Sequence, residues 1–152
     1  EVMDDSTATI LDSHVAQLER ELKILRYDIT KLSEQGIGNQ ARQLFVIFPQ
    51  RLQEWEFFAQ ACLFAFPEKH QVRIRMELAL LETYMDLLSA LDASVTDVTK
   101  ESVDRWKTMI VPFTDGLVTI LDGQEGLTNA QRNRLEMIKN PPTEVLLPQP
   151  NP

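Results

Sequence analysis

Leucine stands at every seventh position near the start of the chain, at Leu11, Leu18, Leu25 and Leu32, with Val15, Leu22 and Ile29 between them. The spacing runs 4, 3, 4, 3, 4, 3 without a break. A helix returns a side chain to the same stripe alternately after three and four residues, so these side chains share one seam. In the heptad frame Val15, Leu22 and Ile29 take the a positions and the leucines take d. Two of the three a residues, Val15 and Ile29, are β-branched, which with leucine at d favours parallel two-stranded pairing. In such a pair Glu21 meets Arg26 of the partner helix, and His14 approaches Glu19.

The same helix carries apolar residues outside the seam, at Ile10, Ile24 and Tyr27. The seam is only about three heptads long, and isolated helices of that size are marginal in water. A wide apolar face is what a helix in a globular bundle shows. Left-handed bundles use the knobs-into-holes packing of coiled coils. Two readings therefore stand side by side. The seam packs within its own chain, or it pairs with a second copy or another protein. A DNA-binding zipper is excluded, because the residues before the first leucine read Asp4-Asp5-Ser6-Thr7-Ala8-Thr9 where a basic helix is required.

The remainder of the chain also carries helical periodicity. The first helix is expected from about Ile10 to Glu34, after capping residues Asp5, Ser6 and Thr7, and Gly36-Ile37-Gly38-Asn39 ends it. A second helical region begins near Gln40 and is kinked or restarted at Pro49. Leu44, Phe48, Leu52, Trp55, Phe58, Cys62 and Phe66 recur along it at three- and four-residue steps. Pro67 opens a third helix to Leu91 with two adjacent apolar rows, Ile74, Leu78, Leu81, Met85, Leu88 and Leu80, Tyr84, Leu87, Leu91. Two rows place that helix against more than one neighbour. A fourth helix from about Thr99 carries Val103, Trp106, Met109 and Ile110, is interrupted at Pro112, and resumes through Phe113, Leu117, Ile120 and Leu121 to Gly123. Thr128-Asn129-Ala130-Gln131 fits a capping box for a last helix to about Lys139. From Asn140 onward five of the eight prolines fall within the last residues, which favours an extended tail or linker.

The expected architecture is all-α: a helical bundle of four to six helices with a long N-terminal heptad-patterned helix and an extended Pro-rich C-terminal tail. Residues 1–9 form a flexible acidic N-terminus, 10–139 a single bundle domain and 140–152 the tail. At 152 residues, a chain buries enough surface to need no metal or disulfide. Hydrophobic residues at 43% and charged residues at 25% are those of a globular domain.

Composition restricts function further. A net charge of −8 with no basic stripe argues against nucleic acid and against an anionic membrane surface. No apolar run approaches the ~18–20 residues of a membrane helix, so no direct membrane insertion is expected. The lone Cys62 sits in an apolar run, which fits a buried thiol. A chain with one cysteine leans towards a reducing, cytoplasmic compartment.

Chemistry-bearing patterns are sparse. His14 and His70 lack carboxylates at helical metal-site spacing, and one cysteine cannot build a zinc cluster. Gly36-x-Gly38 lacks the rest of a phosphate loop, and Asp122-Gly123-Gln124-Glu125-Gly126 lacks the alternating ligands of a calcium loop. No catalytic, cofactor-binding or metal residue is assigned. Lys69, Arg73 and Arg75 form a small basic patch whose ordinary state is solvated.

The function expected from these features is a non-enzymatic oligomerisation, scaffold or adaptor module acting by helix–helix association. The partner is another protein, or a second copy through the N-terminal helix. Its contact row is Leu11, Val15, Leu18, Leu22, Leu25, Ile29 and Leu32. The alternative is a ligand-binding or sensor bundle belonging to a larger receptor, with its site near Trp55 or Trp106. A helical enzyme using Arg51, Arg73 and Glu77 ranks last, because nothing local assembles a site.

Overall fold

A computed structural model describes residues 5–35, 46–65 and 70–141. Five helices and no strand occur among the described residues: α1 (Asp5–Gln35), α2 (Phe48–Ala65), α3 (His70–Ala93), α4 (Lys100–Asp122) and α5 (Asn129–Lys139). The turn at Gly36–Asn39, the break at Pro67, the thiol of Cys62, the side chain of His70 and the tail beyond Pro141 lie outside what is described.

α3 is the centre of the arrangement. Every residue from Met76 to Leu81 is buried, on all sides of the helix. A helix buried all round must be enclosed by neighbours, and each of the other four helices packs on α3. α1 and α3 form the most extensive pair.

The helix directions follow from the side-chain pairs. Arg75 reaches Asp12 and Glu19, while Arg26 reaches Glu82 and Asp86. Partners advance together along both helices, so α1 and α3 run parallel. His14 lies against Phe58 and Asp28 near Arg51, so α2 runs antiparallel to α1. Tyr84 meets Phe113 and Asp92 meets Lys107, so α4 runs antiparallel to α3.

Two boundaries differ from the sequence reading. α1 begins at Asp5 and not near Ile10, so residues expected in a flexible arm are helical. α4 runs unbroken through Pro112. Proline removes one backbone hydrogen bond, but Ile110, Thr114 and Leu117 on either side are buried and hold the helix on α3. Pro49, by contrast, lies in the first turn of α2, where its missing N–H has no helical acceptor to lose.

The capping box at α5 forms as the sequence pattern implies. The Thr128 side chain accepts from the Gln131 backbone N–H at 3.1 Å, and the Gln131 side chain accepts from the Thr128 N–H at 2.9 Å. Gln131 then pairs with Gln71 of α3, its amide Nε2 donating at 3.0 Å. Gln71 also donates to the Gly126 carbonyl at 2.7 Å. Gly126 has φ +92°, a conformation that other residues rarely adopt, and so turns the chain back towards α3.

Candidate functional site

The heptad row is closed within the chain. Leu11, Val15, Leu18, Leu22, Leu25, Ile29 and Leu32 are all between 0% and 4% exposed. At roughly 1.5–3 kcal/mol per buried side chain, the row contributes on the order of 10–20 kcal/mol before conformational entropy is counted. A partner helix on this seam would have to displace the chain's own helices and forgo that contribution. The residues expected to form a partner-binding row are therefore core residues here. The reason is that α3 supplies the apolar surface the seam needs.

The flanking charges follow the same logic. Arg26, expected to meet Glu21 of a partner, instead bonds Asp86 at 2.7 Å and lies 3.5 Å from Glu82. Glu82 also takes a two-pronged contact from Arg134 of α5, at 2.6 and 3.1 Å. Glu19, expected near His14, takes a similar contact from Arg75, at 2.6 and 3.3 Å, and Arg75 bonds Asp12 at 2.6 Å. Planar guanidinium–carboxylate pairs fix orientation as well as proximity. Together they latch α1 and α5 onto α3. The basic patch expected at Lys69, Arg73 and Arg75 is thus partly consumed: Arg75 is committed to α1, and Lys69 lies outside the described residues. The cleft that these groups border, with Leu22, Lys23 and Thr83, has a volume of about 460 Å³.

The two tryptophans occupy different places. Trp55 meets Phe58 edge to face at 5.6 Å, and Phe58 meets His14 at 6.1 Å, in a cleft between α1 and α2. Trp106 lies on α4, in a groove on the other side of α2. There α2 and α4 both flank α3 without closing over it. The groove holds a cavity of about 170 Å³ lined by Pro49, Gln53 and Glu56 of α2, Tyr84 of α3, and Trp106, Met109, Ile110 and Phe113 of α4.

This groove combines apolar walls with one polar pair. Tyr84 is only 4% exposed and forms its floor. The Tyr84 hydroxyl donates to Glu56 Oε1 at 2.8 Å, and its ring meets Phe113 edge to face at 5.1 Å. Burial, followed by the hydrogen bond to Glu56 and the charge of that carboxylate, pushes the Tyr84 hydroxyl well above its ordinary pKa. It therefore stays protonated and keeps its proton directed at Glu56. Met109, at the rim, is 55% exposed.

Sequence periodicity does not separate these lining residues from core. α4 carries one buried row, Val103, Ile110, Thr114, Leu117 and Leu121. Beside it, Trp106, Met109 and Phe113 are half-buried or exposed. The second row at the same spacing is the one signal in the sequence, and it marks a helix with two faces to cover.

Of the residues weighed for catalysis, Arg51 lies 4.0 Å from Asp28, and Arg73 and Glu77 share one side of α3. Glu77 is 6% exposed, and its Oε1 has no hydrogen-bond partner. Burial raises its pKa, partly opposed by the charge of Arg73. Arg51 stands apart from this pair, on α2. Among the described residues no group of three or more His, Cys, Asp or Glu side chains could hold a metal ion. No helix among them is long and apolar enough to cross a membrane.

No protein-family model, curated protein or solved structure matches the chain.

Proposed function

We propose that this chain is a non-enzymatic adaptor or scaffold module that binds a single helix of a partner protein in the groove between α2 and α4. The observation that carries the reading is the groove itself. Trp106, Met109 and Phe113 face Pro49 and Gln53 across the Tyr84 floor, and no described helix covers them. An amphipathic helix laid into such a groove is a recurring mode of recognition, read through side chains at three- and four-residue spacing. The coiled-coil-like heptad packing then has an internal role. It holds α1 rigidly on α3, and α3 carries the floor of the groove.

A partner of different sequence is favoured over a second copy. Each chain carries a net charge of −8, so two copies repel at long range. A basic helix is attracted by the same field. The Trp106 cavity, at about 170 Å³, is below the ~300–1,000 Å³ of ordinary small-molecule sites, whereas the Trp55 cleft, at about 340 Å³, lies within that range, so the helix reading is made for the groove alone.

The test is site-specific photocrosslinking with benzoylphenylalanine at Met109 and, as a control, at the exposed Arg20 of α1. Crosslinked peptides are identified by mass spectrometry, and the captured segment is synthesised for titration against purified protein. The expected result is capture of one helical segment from Met109 alone. Binding of that segment should be lost on Met109→Glu while the thermal midpoint is unchanged. Equal capture from both positions, or titration insensitive to Met109→Glu, refutes the groove as the interface.

A further inference from the structure

Among the described residues, Glu56 is a carboxylate without a cation. It is half-buried at the groove, accepts the Tyr84 hydroxyl at 2.8 Å, and has no Lys or Arg partner there. The carboxylates of the opposite face differ. Asp12, Glu19, Glu82 and Asp86 each contact an arginine. A carboxylate withdrawn from water is costly unless an opposite charge compensates it. The hydroxyl supplies one hydrogen bond but no charge.

The walls beside Glu56 suit a cation. Trp106 and Phe113 bring aromatic rings to the same cavity, above the buried Tyr84. Aromatic faces attract ammonium groups, the more so where water is excluded. The space, about 170 Å³, admits a whole side chain, stem and head group together. Apolar contacts from Pro49, Met109 and Ile110 would cover a methylene stem, as lysine stems commonly lie on apolar surface.

We infer that Glu56, Tyr84, Trp106 and Phe113 form an anchor pocket for one lysine side chain of the bound helix. The ammonium lies between the Glu56 carboxylate and the aromatic walls, and the stem lies along Met109 and Ile110. Tyr84 acts as a positioning residue that holds Glu56 at the pocket. The inference rests on the groove being the interface, and it specifies what the partner helix must carry.

The probe is n-butylammonium chloride, which reproduces a lysine side chain. It is titrated into a Trp55→Phe variant so that Trp106 alone reports by fluorescence, with ionic strength matched by NaCl. 1-Butanol serves as the neutral counterpart. A saturable change in Trp106 emission is expected with butylammonium and not with butanol. Glu56→Gln is expected to weaken it about tenfold, the effect of losing one charge-assisted contact. Tyr84→Phe, which frees Glu56 to turn into solvent, is expected to weaken it less. Circular dichroism and the thermal midpoint of each variant establish that it is folded. Saturation by butanol at the same concentrations, or an unaltered response in folded Glu56→Gln, overturns the inference.

A second arm separates this inference from the groove reading. In the segment captured from Met109, replacing the lysine nearest the crosslink by norleucine should weaken binding about tenfold. If both segments bind equally and Met109→Glu abolishes both, the groove stands and the lysine anchor falls. If butylammonium binds but norleucine costs nothing, the pocket serves a free amine and the helix-borne lysine is refuted.

Discussion

Leu18→Ala distinguishes an internal seam from an intermolecular one. Leu18 lies midway along α1, is 0% exposed, and faces the core of the same chain. Truncation removes three methylene-sized groups and leaves a cavity that rigid neighbouring helices refill only in part. Leucine-to-alanine changes at such sites cost about 3 kcal/mol, within a range of roughly 2.7–5. For a domain of this size each kcal/mol shifts the thermal midpoint by about 2–4 °C, so the midpoint should fall by roughly 6–12 °C. Ile24→Ala on the same helix is the control: Ile24 is 53% exposed, and its truncation should stay within about 0.5 kcal/mol. Urea unfolding followed by circular dichroism at several protein concentrations gives the decisive comparison. If the seam closes within the chain, both the wild-type stability and the Leu18→Ala cost are independent of concentration. If it closes between two chains, roughly a hundredfold dilution lowers apparent stability by about 2.7 kcal/mol. A midpoint that falls with dilution, or a Leu18→Ala cost below about 1 kcal/mol, would refute the internal packing argued above.

Three further outcomes follow from particular side chains. Glu77→Gln should stabilise the protein by about 1 kcal/mol at neutral pH, because it removes an unsatisfied buried charge. The pKa of Glu77 is raised by burial, so above the ordinary glutamate range the native state holds more protons than the unfolded chain, and wild-type stability declines as pH rises through that window. The advantage of the Glu77→Gln variant should therefore vanish when both proteins are unfolded in urea at about pH 4, and an advantage that persists there contradicts the reasoning. Pro112→Ala should raise the thermal midpoint. It restores one helical hydrogen bond at an exposed position of α4, where an interior proline costs up to about 3 kcal/mol; calorimetry showing no gain would mean the helix has already compensated. Thr128→Ala removes the cap of α5 and should cost about 1 kcal/mol, with Thr128→Ser recovering most of it in the same denaturation assay.

The sequence reveals helices better than it reveals their partners, and specific residues show why. The seam of α1 and the double row of α3 are legible because three- and four-residue spacing is a property of one helix. The Thr128–Gln131 box is legible because both members sit within one turn. Arg26 is the opposite case. Its heptad position points to a partner chain, but its carboxylates, Asp86 and Glu82, lie about sixty residues away on α3. Pro112 misleads for a related reason. Local propensity opposes a continuous α4, and the burial of Ile110, Thr114 and Leu117 outweighs it. The Glu56–Tyr84 pair joins two helices across 28 residues, and no local pattern encodes it.

The leucine row that points to association and the groove that carries the proposal are therefore connected. α1 satisfies its seam by lying directly on α3. In that position α1 covers one side of α3, while α2 and α4 flank the Tyr84 side without meeting over it. A bundle that closed α2 onto α4 would bury Trp106, Met109 and Phe113 as ordinary core. Here Trp106 and Phe113 are packed on the core only in part, and Met109 remains 55% exposed at the rim of an aromatic cavity. The strongest heptad signal in the chain thus stabilises the scaffold. The less regular row on α4 is the one that the proposed partner helix would contact.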